Sequence, residues 1–239
     1  MEIKVNAVVL RTVDYNENDK ILTLLTAERG KITAGIKGVK KAAAKLKFAA
    51  QPFCFAEYIL VGKGGKYTVT GATETESFYD LRTDILRFYA ASAVTEAANA
   101  ISFEGDASSD LFTATVRALS EICSGEVSPA LIKFLTTVLK GAGYNISVEN
   151  CPYCGKSLLN EERLRFDMNI GSFTCADCGS GEGASAVTYN VFRKIFDKSY
   201  KENYITEDGE KRALRLIREY FSYKLDIAFK SLSEYIRLI

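Results

Sequence analysis

The chain has 239 residues, with 31 basic and 30 acidic side chains, 47% apolar residues, six cysteines, no tryptophan and no histidine. That length and balance suit one or two globular domains that bury their own cores, and no apolar run reaches the roughly 18 residues of a membrane-spanning helix. The lack of histidine excludes His-dependent triads and the usual histidine-ligated catalytic zinc, and no G-x4-G-K-[ST] phosphate loop occurs, so neither that chemistry nor an ATPase is expected.

Ile3, Val5, Ala7 and Val9 alternate and β-branched residues recur through Val13, which predicts a first strand with no signal peptide before it. A polar turn over 14–19 leads to a second strand at 21–25. A turn over 28–31 leads to a third at 32–36, and residues 53–61 and 67–74 give a fourth and fifth. Gly62-Lys63-Gly64-Gly65-Lys66 is read as the hairpin turn between these last two, because Tyr67 stands where a phosphate loop needs Ser or Thr. Five short strands with glycines at the corners suit a small closed barrel of the OB type, and a five-stranded SH3-like barrel gives a similar pattern.

Beyond Ser77 the period becomes helical. Leu81, Ile85, Phe88 and Tyr89 share one face, and an Ala-rich run continues to Ile101. Leu111, Thr115, Leu119 and Ile122 mark a second helix. Ser128-Pro129 reads as an N-cap followed by the first residue of a third helix, which Gly141 and Gly143 end. A hairpin is expected over 164–173, and helices over about 189–200 and 209–232, the last with Leu214, Ile217, Phe221, Leu225 and Ala228 on its inner stripe. The expected architecture is α+β: a five-stranded OB-fold barrel over 1–78, then an α-helical domain over 79–239 containing a cysteine module at 150–181.

That module holds the most specific motif. Cys151-Pro152-Tyr153-Cys154 and Cys175-Ala176-Asp177-Cys178 form a C-x2-C-x20-C-x2-C pattern, each pair followed by glycine (Gly155, Gly179). Two such turns supply the four thiolates of a closed, structural Zn2+ site, so Cys151, Cys154, Cys175 and Cys178 are expected to hold one zinc. Cys54 and Cys123 lie in apolar surroundings and are expected to be reduced core residues of a cytosolic protein. Residues 151–180 carry three basic and four acidic side chains, which suits a scaffold better than a phosphate-gripping surface.

The net charge of +1 conceals an asymmetry. Residues 1–71 carry 12 basic and 6 acidic side chains, residues 72–150 carry 5 and 11, and the two remaining stretches sum to −2 and +3. Arg29, Lys31, Lys37, Lys40, Lys41, Lys45 and Lys47 fall within 19 residues that contain no acid. The middle of this stretch, residues 37–45, lies between the third and fourth strands and reads as a projecting loop or short helix, which can track phosphates without sequence preference. Phe48, Phe53, Phe55, Tyr58 and Tyr67 are the aromatics considered for stacking bases, although each is expected in the barrel core. Asp14, Glu17 and Asp19 are expected to be a solvated turn rather than a magnesium site.

The runs Ala7-Val8-Val9-Leu10-Arg11, Asp14-Tyr15-x-Glu17-x-Asp19-Lys20-Ile21-Leu22, Glu28-Arg29-Gly30-Lys31, Lys37-Gly38 and Gln51-Pro52-Phe53, with the two cysteine pairs, resemble the RecO family of recombination mediators. The likeness covers the whole chain and is most specific in the barrel and at the cysteines, which place it with the zinc-bearing members. It implies an OB-fold joined to an α-helical domain carrying the zinc. The implied role is non-enzymatic DNA repair and homologous recombination after DNA damage. It would bind single- and double-stranded DNA, anneal complementary strands, and help load recombinase onto strands coated by single-strand binding protein. The implied partners are RecR and the C-terminal tail of that binding protein, in a bacterial cytoplasmic, nucleoid-associated setting without a membrane. The DNA-binding residues expected are Arg11, Lys20, Arg29, Lys31, Lys37, Lys40, Lys41, Lys45 and Lys47. The acidic balance of 72–150 departs from a broad basic surface, and a zinc-stabilised protein–protein adaptor without a direct DNA role is the alternative.

Overall fold

The computed structural model describes residues 2–159, 161–179, 181–196 and 205–239, which form two compact units, Met1–Val127 and Ser128–Ile239.

In the first unit β1 (Glu2–Tyr15), β2 (Asp19–Thr26), β3 (Gly30–Ile36), β4 (Phe55–Lys63) and β5 (Lys66–Glu76) close a barrel in the order β1-β2-β3-β5-β4. β1 is long enough to serve two neighbours. Its first half pairs with β4 from Glu2↔Val61 to Val8↔Phe55, and its second half pairs with β2 as far as Tyr15↔Asp19, with a bulge between Val9 and Arg11. The β3–β5 pairing is parallel and the rest are antiparallel, which is the OB-fold arrangement and separates it from the SH3-like alternative. Val5, Ala7, Val9, Leu22, Leu24, Ile32, Ala34, Ile36 and Leu60 fill the interior, as the period-2 pattern requires. Tyr58 is wholly buried there and its hydroxyl donates to the Ala49 carbonyl at 2.8 Å. Gly64 (φ +58) and Gly65 (φ +75) make the two-residue β4–β5 turn, where both positions need left-handed backbone.

Two helices complete this unit. α1 (Ile85–Ile101) is capped by Asp84, whose side chain accepts from the Arg87 amide, and α2 (Ser109–Ser124) is capped by Ser108 and ends at Gly125. Val8, Leu10 and Leu25 are buried although they point away from the barrel interior, because α1 packs on β1. Phe53 meets Phe88 and Phe55 meets Phe112 edge-on, each at 5.7 Å between ring centroids. The compact unit therefore continues to Val127, past residue 78 where the sequence places the end of the barrel domain.

The second unit holds α3 (Val127–Gly141), β6 (Arg163–Asp167), β7 (Ser172–Cys175), β8 (Glu182–Ser185), α4 (Ala186–Phe196), α5 (Glu207–Leu225) and α6 (Lys230–Leu238), with sheet order β7-β6-β8. Three details differ from expectation. Ser128 lies inside α3 rather than capping it, and its hydroxyl shares a 2.7 Å hydrogen bond with that of Tyr235. A third strand, β8, joins the expected hairpin. The expected 209–232 helix is two helices, broken where Asp226 takes a left-handed conformation (φ +53); Phe229, not Ala228, enters the core and meets Phe221 at 4.8 Å. α4 covers the start of the helix expected over 189–200, whose last four residues lie outside the described residues. No helix among the described residues is long and apolar enough to cross a membrane.

Candidate nucleic-acid interface and metal centre

The basic segment after β3 is a series of turns held against the β1–β2 turn. Asp19 Oδ1 accepts the Gly38 amide at 2.8 Å, and the Lys40 amide donates to the Asn18 carbonyl at 3.0 Å. Lys40 Nζ lies 2.8 Å from Asp14 Oδ2, and Lys20 Nζ 3.8 Å from Asp14 Oδ1. The hydrogen bond from Lys40 holds the Asp14 carboxyl below its ordinary value, and the Gly38 amide does the same for Asp19. The acidic turn thus anchors the basic segment, a structural use that solvation alone did not suggest. Asp14 and Asp19 are committed to it, which leaves no converging set of carboxylates for magnesium.

The predicted basic residues divide by surroundings. Arg11, Arg29, Lys37, Lys40, Lys41, Lys45 and Lys47 are exposed. Lys20 is half-buried beside Asp14. Lys31 is half-buried and donates to the Asn99 carbonyl at 2.9 Å, in the last turn of α1, where a cation meets the negative end of the helix. Lys31 is thereby occupied within the fold. Lys37 and Lys41 line an open depression of about 410 Å³ with residues 16–19 and Gly38.

Of the aromatics considered for stacking, Phe53 and Tyr58 are buried, and Phe48 and Tyr67 pack against the core. Phe55 is taken by Phe112. The exposed barrel aromatic is Tyr15, 54% accessible at the end of β1, which the sequence placed in the polar turn. The available signal was alternation continuing through Arg11, Val13 and Tyr15.

In the second unit the four sulfurs of Cys151, Cys154, Cys175 and Cys178 lie within 4.8 Å of one another, with Cys154 Sγ 3.8 Å from Cys175 Sγ. A tetrahedron with metal–sulfur bonds of about 2.3 Å has edges near 3.8 Å, so the donor set fits zinc. Both knuckles close alike: the Gly155 amide donates to the Cys151 carbonyl at 2.8 Å and the Gly179 amide to the Cys175 carbonyl at 3.1 Å. A side chain at Gly179 would run into Thr174 Oγ1 and the Arg165 side chain, so glycine alone lets the second knuckle close. Burial opposes the Cys151 thiolate, yet the amides of Cys175, Cys154 and Tyr153 outweigh it and bring its pKa to about 6. Cys178 is pushed up to about 12, first by its hydrogen bonds to the Cys154 and Cys175 sulfurs. Four clustered thiols cannot all ionise without a cation, which a divalent metal supplies. Among the described residues no other cluster of three or more potential ligands occurs.

The hairpin between the knuckles has its own anchor. Phe173 packs against Phe166, Tyr189 and Phe192 at 5.1–5.6 Å, and Phe166 against Tyr220 at 5.4 Å, fixing β6 and β7 on α4 and α5. The Tyr153 hydroxyl donates to Asp167 Oδ2 at 2.7 Å and ties the first knuckle to β6. Gly171 turns the hairpin at φ +65, where a side chain would strike the Tyr220 hydroxyl.

An OB barrel with a basic segment on its β1–β2 turn, followed by helices bearing a four-cysteine cluster, defines a two-part barrel-and-helix protein with a metal-ready knuckle. Residues 1–78 match the family "Recombination protein O N terminal" and residues 82–233 "Recombination protein O C terminal". The chain belongs to the recombination protein O (RecO) family. Among similar proteins, the DNA repair protein RecO of Desulforamulus reducens is 29% identical over 95% of this chain and 91% of its own length. That of Desulfitobacterium hafniense is 33% identical over 76% and 66%, and that of Clostridium perfringens 29% over 84% and 83%.

Proposed function

We propose that this chain is a non-enzymatic DNA repair and recombination mediator. It binds single- and double-stranded DNA through the barrel, anneals complementary strands and helps load recombinase onto strands coated by single-strand binding protein. The observation that carries this is the basic segment fastened beside the β1–β2 turn, which presents Lys37, Lys40 and Lys41 at a loop where OB-folds take oligonucleotides. The RecO relatives, each named a DNA repair protein, support the same role. RecR and the C-terminal tail of the single-strand binding protein are the proposed protein partners, in a cytoplasmic, nucleoid-associated setting. One zinc on Cys151, Cys154, Cys175 and Cys178 is proposed as structural: all four ligand positions are protein thiolates, which leaves no position for a substrate. A strand-annealing assay with and without single-strand binding protein tests the role. Acceleration of annealing on coated strands is expected, and no acceleration on either substrate contradicts it.

A further inference from the structure

The outward face of β1, β2 and β3 carries rows of residues set by the strand register. Arg11 lies across from Thr23 and Thr33, Val13 from Ile21 and Gly35, and Tyr15 from Asp19. Inward neighbours such as Leu22 and Ala34 fix this parity. Val13 is 43% exposed, Ile21 and Gly35 are half-exposed, and Gly35 adds no side chain to the middle of the face. At the end of that floor the Tyr15 ring and hydroxyl have no hydrogen-bond or ring partner among the described residues. The exposed Arg11 lies on this face, and the exposed Lys37 and Lys41 line the depression beside Asp19, the residue across from Tyr15. The acids nearby are Asp14 and Asp19, both held as described, the exposed Glu17, and Glu104, which accepts from Thr33 Oγ1 at 3.3 Å.

We propose that this face is a single-strand platform on which Tyr15 stacks a nucleobase, with Val13, Ile21 and Gly35 as the floor and Arg11 placed for a phosphate. The platform presupposes DNA binding by the barrel and adds to it a source of strand preference. Lysines act on any phosphate backbone and their contribution is salt-dependent. A tyrosine ring needs an open base face, which a duplex keeps inside its stack, and stacking releases no counterions. Tyr15 therefore favours single strands without altering the salt dependence.

The absence of tryptophan from the chain supplies a direct probe. Tyr15→Trp introduces one indole whose emission should be quenched by single-stranded oligothymidylate and unaffected by a duplex of the same length, whereas Tyr79→Trp, outside the barrel strands, should stay unquenched by both. Tyr15→Ala should weaken oligothymidylate binding by about tenfold, with the slope of log K against log salt unchanged and duplex affinity retained. An unquenched Tyr15→Trp at saturating oligothymidylate, or parental affinity in Tyr15→Ala, overturns the platform. If the parent still binds both DNAs salt-dependently in that case, only the platform fails. If the parent binds neither, DNA binding by the barrel fails with it.

Discussion

The carboxylate of Asp19 accepts the backbone amide of Gly38 at 2.8 Å across a sequence separation of nineteen, joining the tip of one hairpin to the start of the basic segment. Without this bond the segment has the Lys40–Asn18 backbone contact and the surface pair of Lys40 with Asp14 to hold it at the turn. Asp19→Ala is expected to speed amide hydrogen exchange at Gly38 and Lys40 while leaving the barrel folded. The pH dependence has a definite sign. The Asp19 pKa lies below its ordinary 3.8, chiefly through the Gly38 amide, so its contribution is present above 3.8 and is lost as pH falls through the lower folded value. Unchanged exchange at Gly38 in the variant would show that the bond does not order the segment.

Replacing Lys37, Lys40, Lys41 and Lys45 together with Ala should weaken single-strand binding and flatten the salt slope by about two to three, since each lost phosphate contact on a single strand removes about 0.7. Lys40 is expected to give the smallest individual effect because Asp14 already engages it. Binding isotherms at several salt concentrations measure this. A slope identical to the parent's would move the DNA contacts elsewhere.

Purified protein should contain one zinc per chain, and Cys154→Ser should lose most of it. Because the β6–β7 hairpin is also held by the aromatic cluster, the expected damage is local. Faster hydrogen exchange at 151–158 and 175–179 is predicted, with the salt slope of DNA binding preserved. Metal analysis that finds no zinc in gently purified protein would contradict the assignment.

Phe173→Ala should be the more severe lesion. The ring is fully buried against three others, and such truncations cost about 3–5 kcal/mol. A clear drop in the thermal midpoint is expected with the four cysteines intact; a midpoint equal to the parent's would mean the cluster contributes little.

The barrel was legible because its strands alternate cleanly and glycines mark their corners, and the cysteines because ligand spacing is itself geometry. What sequence missed depended on partners distant in the chain. Lys31 looked like one more cation until α1 ended above it. The anchoring roles of Asp14 and Asp19 are hidden because nothing local reveals the pairing of Asp14 with Lys40 or the bond of Asp19 to Gly38. The outward burial of Val8, Leu10 and Leu25 exists only because helices cover that side of the barrel. β8, reading Glu-Gly-Ala-Ser, has no apolar alternation to betray it and is placed by backbone pairing with β6. The split near Asp226 turns on one left-handed residue inside an apolar pattern that otherwise keeps helical spacing.

The β6–β7 hairpin is held by aromatic rings along its strands, and a metal on the four sulfurs would pin it a second time at its open end. Because the rings act independently of the sulfurs, the sulfur fastening is the one separable from the architecture. A lineage could surrender the cysteines one at a time and keep the hairpin seated on α4 and α5, whereas loss of the rings would leave the metal holding a turn with nothing to rest on. The knuckle is in that sense a refinement laid over a packing solution that stands without it.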